Sequence, residues 1–337
     1  MRIPSAVRAR VFRRAVHLVT AGHPLPRAVL GRVATGVALV LVTSMLVFAG
    51  TELLPGDAAT AALGQTATPE QLRVVRERLG LDDPAPRRYA DWLGGLVRGD
   101  LGVTVSGRPV ADVIAGKAVN TLALALVTAA LLIAVALGLG LTAGARAGSV
   151  TDRLISAAAV GAMALPEFVI GTLLIIVFAL WLGLLPSVSL LPAEGALGRP
   201  AALVLPVLTL SAGAAGHAIR LVRAAMAEVM ASPYIPMARL HGIPERRVLV
   251  RHALRNALAP TVQLFAAILV WLVGGIAVVE RVFGYPGLSQ VLVDAVATRD
   301  IPLVQSLATI FAALTVSLYI AADIVVTLLI PKLRTAA

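Results

Sequence analysis

Few polar side chains of this 337-residue chain are placed where they could act on a ligand, and Glu167 is the clearest of them. It is the only acidic residue well inside a long apolar stretch, where a charge costs roughly 3 kcal/mol or more unless it faces protein, water or a partner. We therefore expect Glu167 to face inward. Its carboxylate would then line a polar pathway and attract an amine or a cation. A structural hydrogen bond to a neighbouring helix, or protonation of the carboxyl group, is the competing interpretation.

His217 is a second candidate for a pathway residue. It precedes Arg220 by one helical turn, so it also fits the start of a basic extension beyond the membrane. The five histidines show no metal-ligand spacing, and cysteine is absent. The apolar stretches hold no Ser/His/Asp or zinc constellation, and the chain lacks the Gly-Lys-Ser/Thr phosphate loop. We expect no catalytic residues, no bound metal and no ATP site in this chain.

The composition is that of an integral membrane protein. Hydrophobic residues make up 58% of the chain, charged residues only 14%, and the mean hydropathy is +0.90. In a soluble protein the net charge of +11 would suggest nucleic acid as a partner. In a membrane protein it is explained by basic cytoplasmic loops, so we expect lipid and no nucleic acid.

Six stretches are long enough to cross a bilayer as helices, which need about 20 mostly apolar residues. Five of the six contain no charged residue, and the remaining one is interrupted only by Glu167. The sequence therefore predicts an all-α membrane protein with six spans. The five uncharged stretches are 33–51, 118–145, 200–219, 256–279 and 301–322, and the interrupted one lies between Arg153 and Glu194.

Basic residues predict the orientation of these spans, because positive charge in short loops resists translocation. The arm 1–32 has seven arginines and no acid, whereas the segment 52–117 has nine acids against eight bases. We expect both termini, including the tail 332–337, in the cytoplasm and 52–117 outside. The spans from 118 to 331 would form the core, with a basic cytoplasmic loop at 228–256. The arm fits an amphipathic helix on the membrane surface or a disordered basic tail.

The external segment 52–117 is too long for a hairpin loop, and its turn residues predict short helices. Thr68 to Glu70 is typical of a helix start and Gly80 of a helix end. A second helix should begin at Pro84 or Pro86. We expect its Tyr89 and Trp92 to pack on the membrane interface or on the spans rather than to contact a ligand.

The capping and turn residues of the loop 228–256 predict a short, stiff helix. Ser232 can cap a helix with Pro233 in its first turn, Gly242 can end it, and Pro244 can start another. A helix of about nine residues would be ~14 Å long. A stiff helix joined directly to two spans could transmit the motion of a partner protein to those spans. The alternative is an ordinary basic cytoplasmic loop that has no partner. Both interpretations remain open from the residues alone.

The stretch 234–260, YIPMARLHGIPERRVLVRHALRNALAP, resembles the cytoplasmic coupling motif of permeases in binding-protein-dependent ABC importers, in particular the dipeptide/oligopeptide (peptide/nickel) branch. Four other stretches also match that family, and all five occur along this chain in the order in which the family has them. The four are LLPGD at 53–57, LGLDDPAPRRYADWLGGLVRGDLG at 79–102, SGRPVADVI at 106–114 and VFGYPGL at 282–288. Together they run from about residue 33 to the carboxyl end.

The resemblance implies a type I importer permease fold, with the coupling motif contacting an ATPase subunit. The implied coupling residues are Pro236, Met237, Ala238, Arg239, Gly242 and Ile243. Two departures stand out. Pro236 and Met237 replace the glutamate and alanine that are frequent in the wider superfamily, and Ser289 follows the PGL turn where the peptide branch usually has glycine.

The resemblance also implies the partners: a second, homologous permease, two ABC ATPases that bind ATP and Mg²⁺, and an external substrate-binding protein. Peptide is the expected cargo, with nickel chelates, glutathione or sugars as alternatives in related permeases. The expected location is the bacterial inner membrane. An ion-coupled secondary transporter should show more buried ionisable residues and inverted repeats. An intramembrane enzyme should show a catalytic constellation.

Overall fold

The computed structural model describes residues 24–53, 59–60, 67–190, 198–254, 257, 272 and 276–329. Within these ranges the regular structure is helical, and the only β-type pairing is an isolated bridge between Val103 and Pro109. The predicted all-α class is confirmed for these residues. The helices are α1 (Pro24–Glu52), α2 (Pro69–Leu79), α3 (Ala85–Val97), α4 (Val110–Ala145), α5 (Val150–Ala164), α6 (Glu167–Leu174, continuing as a π-helix over Ile175–Trp181), α7 (Ala201–Met230), α8 (Tyr234–Leu240), α9 (Glu245–Arg247, continuing as a π-helix over Val248–Leu254), α10 (Leu288–Ala297) and α11 (Ile301–Leu329).

Four of the described helices, α1, α4, α7 and α11, are apolar and long enough to cross a bilayer. They coincide with four of the predicted spans, and each continues past at least one end of the uncharged stretch that predicted it. Because α1 begins at Pro24, the predicted boundary between arm and span at residue 32 is not the end of a helix. The predicted span 256–279 falls mostly outside the described residues, as do residues 1–23 of the arm and the tail 332–337.

The sixth predicted span is not one straight helix. Helices α5 and α6 meet at an angle of 102° around Leu165 and Pro166. Proline lacks the N–H that would continue a helix and pushes the preceding residue out of helical geometry. Leu165 accordingly has extended backbone angles, φ −100° and ψ 131°. The pair therefore forms either one broken crossing or a re-entrant turn.

Helix α7 lies at the centre of the described core and packs most extensively against α4. The two backbones approach closely because α4 presents glycine at two positions one turn apart. A Cβ atom at Gly140 would lie 2.9 Å from the carbonyl oxygen of Ile219, and one at Gly144 would lie 2.6 Å from that of Arg223. Helices α5 and α6 pack on other faces of α7. The position of α7 is therefore fixed by three neighbours.

Helices α1 and α11 form a second packed pair. Near one end of the pair, the Gln305 amide nitrogen donates to Thr51 Oγ1 over 2.7 Å. Near the other end, Arg32 forms an ion pair with Asp323 at 3.2 Å. This ion pair joins the two helices of the pair to each other.

The two short helices predicted within 52–117 are present in the structure. Thr68 and Gln71 make a reciprocal capping box at the start of α2, and Gly80 ends that helix with a left-handed φ of 61°. Pro84 precedes α3. The rings of Tyr89 and Trp92 lie 5.2 and 6.4 Å from that of Phe48 on α1, which confirms that they pack on a span.

Candidate functional site

The short helix α8 follows the end of α7 after only three residues. It spans seven residues, Tyr234–Leu240, rather than the nine predicted, and Pro233 occupies its N-cap. The expectation that the Ser232 side chain caps this helix is wrong. Its hydroxyl donates back to the carbonyl oxygen of Val229 at the end of α7, because serine can bond the preceding turn as readily as the following one.

Gly242 ends α8 as predicted, with a φ of +72° that residues bearing a Cβ rarely adopt. The amide of Gly242 donates to Arg239 O over 3.0 Å, and that of Ile243 donates to Ala238 O over 3.2 Å. These two bonds are the Schellman arrangement, which satisfies the last carbonyls of a helix. The chain therefore reverses sharply before Pro244, which forms the N-cap of α9.

An ion pair links the two arms of this bend. The Arg239 guanidinium donates to Glu245 at 2.6 and 3.1 Å, and this hydrogen bond lowers the pKa of Glu245. The pair is therefore ionised at neutral pH and is lost only as the pH falls through that lowered pKa. Both side chains are about half exposed, so its contribution to stability is small.

One buried residue fixes α8 to the spans. Ile235 is fully buried against Met226 of α7 and against Val248, Ala253 and Ala257 of the chain that follows the bend. The predicted coupling residues Ala238 and Ile243 pack at the edge of the same cluster. A displacement of α8 must therefore move the end of α7.

The opposite face of α8 is exposed. Pro236 and Arg239 lie on the surface, as does Met237, which is 56% exposed. Leu240 is 81% exposed, and sequence reasoning did not name it. Its signal was the three-residue spacing from Met237, which puts both apolar side chains on one face of a helix. Met237 and Leu240 thus form an exposed apolar tip on α8, and Ile235 fixes the opposite face of the helix.

The two predicted pathway residues lie on different helices, Glu167 on α6 and His217 on α7. Glu167 is the first residue of α6, directly after the bend, and is half-buried. Its Oε1 atom is buried without a hydrogen-bond partner among the described residues. His217 is exposed on α7 and lines a cleft between α5 and α7. Glu167 is not part of the lining of that cleft.

The cleft between α5 and α7 has a volume of about 700 Å³. Its lining combines an apolar wall with basic side chains. It consists of Ser156, Val160, Met163, His217, Arg220, Leu221, Arg223 and Ala224.

A buried ion pair closes one end of the cleft. Asp152, in the first turn of α5, has a side chain that is only 3% exposed, and both of its oxygens accept hydrogen bonds from the Arg223 guanidinium of α7. The amide of Gly148 donates to the same carboxylate over 2.8 Å. These bonds compensate the buried charge and lock α5 onto α7. Sequence reasoning missed the pair, because the two residues lie 71 positions apart.

Glu280 is a second buried acid that sequence reasoning did not single out. The structure buries it completely. Its carboxylate accepts a hydrogen bond of 2.7 Å from Thr121 Oγ1 of α4 and one of 3.0 Å from the amide of Gln290 in α10. The only sequence signal was its position two residues before the VFGYPGL motif.

The turn after Glu280 is tied to α4 through a second set of bonds. The hydroxyl of Tyr285 donates to Asn120 O over 2.6 Å, and the Asn120 amide nitrogen donates to Pro286 O over 3.1 Å. Leu288 N donates to Thr121 Oγ1 over 2.8 Å. Ser289, at the position where the peptide branch usually has glycine, is buried in the first turn of α10. The motif is therefore a structural clamp.

Long apolar helices around a central α7, with a stiff and exposed helix joined to its end, are the features of a membrane transport subunit. The family of binding-protein-dependent transport system inner membrane components matches residues 135–335, and the amino-terminal region of such components matches 25–111. The chain belongs to this family. It is a multi-pass membrane protein and the translocation component of a transport system.

Named relatives cover nearly the whole chain. A putative peptide transport system permease protein of Brucella abortus (strain 2308) is 35% identical over 308 residues, which are 91% of this chain and 98% of the relative. A glutathione transport system permease protein of Escherichia coli (strain K12) is 34% identical over 294 residues, which are 87% of this chain and 94% of the relative. The family resemblance seen in the motifs is thereby confirmed.

Proposed function

We propose that this chain is one of two permease subunits of an ATP-driven importer that takes up di- and oligopeptides delivered by an external binding protein. The observation that carries the proposal is the geometry of α8, which is exposed on one face and fixed to α7 on the other. Its residues Met237 and Leu240 form an apolar tip suited to a cleft on an ATPase subunit.

The proposed assembly holds a second, homologous permease and two ABC ATPases in the bacterial inner membrane, with both termini of this chain in the cytoplasm. ATP and Mg²⁺ belong to the ATPases, since this sequence lacks the phosphate-loop signature. This chain is then not an enzyme and binds no cofactor of its own.

The stiffness of the bend supports a mechanical role for α8. When the ATPases close on ATP, they would draw α8 toward its counterpart on the other permease. The buried cluster around Ile235 would pass this displacement to α7, and α4, α5 and α6 pack directly on α7. The helices would then open the cavity outwards, and hydrolysis would release them.

A pair of substitutions at Gly242 tests the coupling role. Gly242→Val should impair peptide uptake strongly while membrane insertion stays intact, because valine does not tolerate a φ of +72°. Gly242→Asn should retain most uptake, since asparagine adopts left-handed angles more readily. Uptake of a labelled peptide and ATPase stimulation by the loaded binding protein are measured for both variants in proteoliposomes, with the amount of inserted chain as the reference.

Normal uptake by the valine variant would show that the bend does not couple the subunits. A transport signal that survives ATP depletion and collapses with the ion gradient would contradict the importer function itself and favour a secondary transporter.

Glutathione is a second candidate cargo, because one of the relatives carries that name. Deletion of the gene followed by uptake assays with a labelled dipeptide, a labelled tripeptide and labelled glutathione separates the two. We expect loss of peptide uptake; a selective loss of glutathione uptake would favour the second candidate.

A further inference from the structure

We propose that the cleft between α5 and α7 binds the carboxylate of the cargo, with Arg220 as its cationic partner. The inference rests on the proposed peptide-import function and adds to it a site within this chain.

The position of Arg220 suits a site at the inner end of a pathway. It lies 19 residues after the start of α7 at Ala201, which corresponds to about 28 Å at 1.5 Å per residue. His217 lies one turn further into the membrane and lines the same cleft. Residues three apart share a helix face, so the two side chains form a short basic strip along the wall of the cleft.

The charge of Arg220 is available to a ligand, whereas that of its neighbour is not. Arg223 also lines the cleft, but Asp152 occupies its guanidinium. The hydrogen-bond contact of Arg220 within the described residues is with the sulfur of Met163 at 3.9 Å. A thioether is a weak acceptor, so the guanidinium retains its donors. None of the residues lining the cleft is acidic.

The rest of the lining points to a carboxylate that carries an apolar neighbour. A guanidinium binds a carboxylate through two parallel hydrogen bonds. Beside Arg220, the cleft offers Val160, Met163 and Leu221 as an apolar wall. The carboxyl-terminal residue of a short peptide has both groups, and a volume of about 700 Å³ lies in the range of small-ligand sites.

The test compares one peptide with a free carboxyl terminus and its carboxyl-terminal amide. Both are assayed for uptake into proteoliposomes that hold the whole transporter, as wild type and as Arg220→Gln. We expect the substitution to raise the KM for the free acid about tenfold, the effect of losing a charged hydrogen bond, and to leave the KM for the amide unchanged. Comparing wild type with variant for each peptide cancels any preference of the binding protein.

Arg146→Gln is the matched control. Arg146 is exposed at the end of α4, outside the cleft, and its substitution removes the same charge. We expect it to change neither KM. Arg220→Lys serves if the glutamine variant assembles poorly. It keeps the charge and loses the bidentate fork, so the KM for the acid should rise less and that for the amide should stay unchanged.

Three outcomes would overturn the proposed site alone, and a fourth would overturn it together with the import function. Equal changes for acid and amide would show that Arg220 does not contact the carboxylate. Wild-type KM values in both Arg220 variants would show that the cleft binds no cargo. An effect present in vesicles of anionic lipid and absent in vesicles of neutral lipid would assign the site to a lipid headgroup. Failure of the wild-type transporter to import either peptide would refute the import function together with the site.

Discussion

Asp152 and Glu280 are the two acidic side chains that the described part of the protein buries almost completely. Each is held by donors from a different helix: Asp152 by a guanidinium of α7, and Glu280 by a hydroxyl of α4 and an amide of α10. A buried carboxylate without such donors would cost several kcal/mol. Both residues therefore fix helices to each other, and neither is needed as a pathway residue.

Thr121→Val tests the clamp around Glu280. The substitution keeps the shape of the side chain but removes the donor to Glu280 and the acceptor of Leu288 N. We expect the free energy of unfolding to fall by about 1–3 kcal/mol, since two buried groups lose their partners. Thermal unfolding of the purified protein in detergent measures the change.

Thr142→Val is the control for this experiment. Thr142 lies on the same helix, is exposed, and bonds only within its own turn, to Gly138 O. We expect a change of no more than about 0.5 kcal/mol. Equal losses in the two variants would show that the threonine hydroxyl acts within α4 and not as a clamp.

At the scale of elements, the contact between α4 and α7 depends on a close approach of two backbones. Membrane helices associate through close packing rather than hydrophobic force, because lipid is as apolar as their side chains. Gly140 and Gly144 leave room for that approach. The end of α7 leads directly into α8, so the same contact determines where the exposed helix stands.

Gly144→Ala should separate the two helices. The added Cβ would lie 2.6 Å from both the carbonyl oxygen of Arg223 and the Cβ of Met226, so the backbone must shift. We expect a loss of about 1–3 kcal/mol in the free energy of unfolding, measured by thermal unfolding in detergent. Gly138→Ala on the same helix meets nothing within 4 Å and should be neutral or gain up to about 1 kcal/mol. A neutral result at residue 144 would contradict the close contact.

At the scale of the whole molecule, charge asymmetry and helix order together give the proposed orientation. The basic bend at α8 and α9 would lie in the cytoplasm, and α2 and α3 would lie outside, with α3 packed against the end of α1. The Arg88 side chain of α3 pairs with Glu52 at the end of α1. Helix α3 is therefore attached to the span that precedes it.

The absence of cysteine from the chain allows a direct test of this orientation. Asp91→Cys on α3 and Met237→Cys on α8 each introduce a single thiol at an exposed position. In intact spheroplasts, a membrane-impermeant maleimide should label residue 91 and leave residue 237 unlabelled until the membrane is permeabilised. Labelling of residue 237 in sealed spheroplasts would reverse the proposed topology.

The sequence by itself determined the features that depend on neighbouring residues. Apolar length determined the described spans α1, α4, α7 and α11, and the left-handed preference of glycine determined the ends of α2 and α8 at Gly80 and Gly242. These properties need only a few consecutive residues. The family resemblance likewise rested on the order of short sequence motifs. Local motifs also placed the predicted coupling residues Pro236 to Arg239 on one short helix that ends before Gly242.

Only the tertiary structure decided which distant residues meet. Asp152 and Arg223 are 71 positions apart, and Thr121 and Glu280 are 159 apart, so no local pattern could pair them. To predict the 102° bend, one would have to know that Pro166 breaks its helix rather than merely kinking it. The cleft of Arg220 exists because α5 and α7 pack side by side while Asp152 holds only one of the two neighbouring arginines. Many arrangements of the helices satisfy the same local preferences, and long-range packing selects one of them. In the selected arrangement, the guanidinium of Arg220 stays available for a ligand.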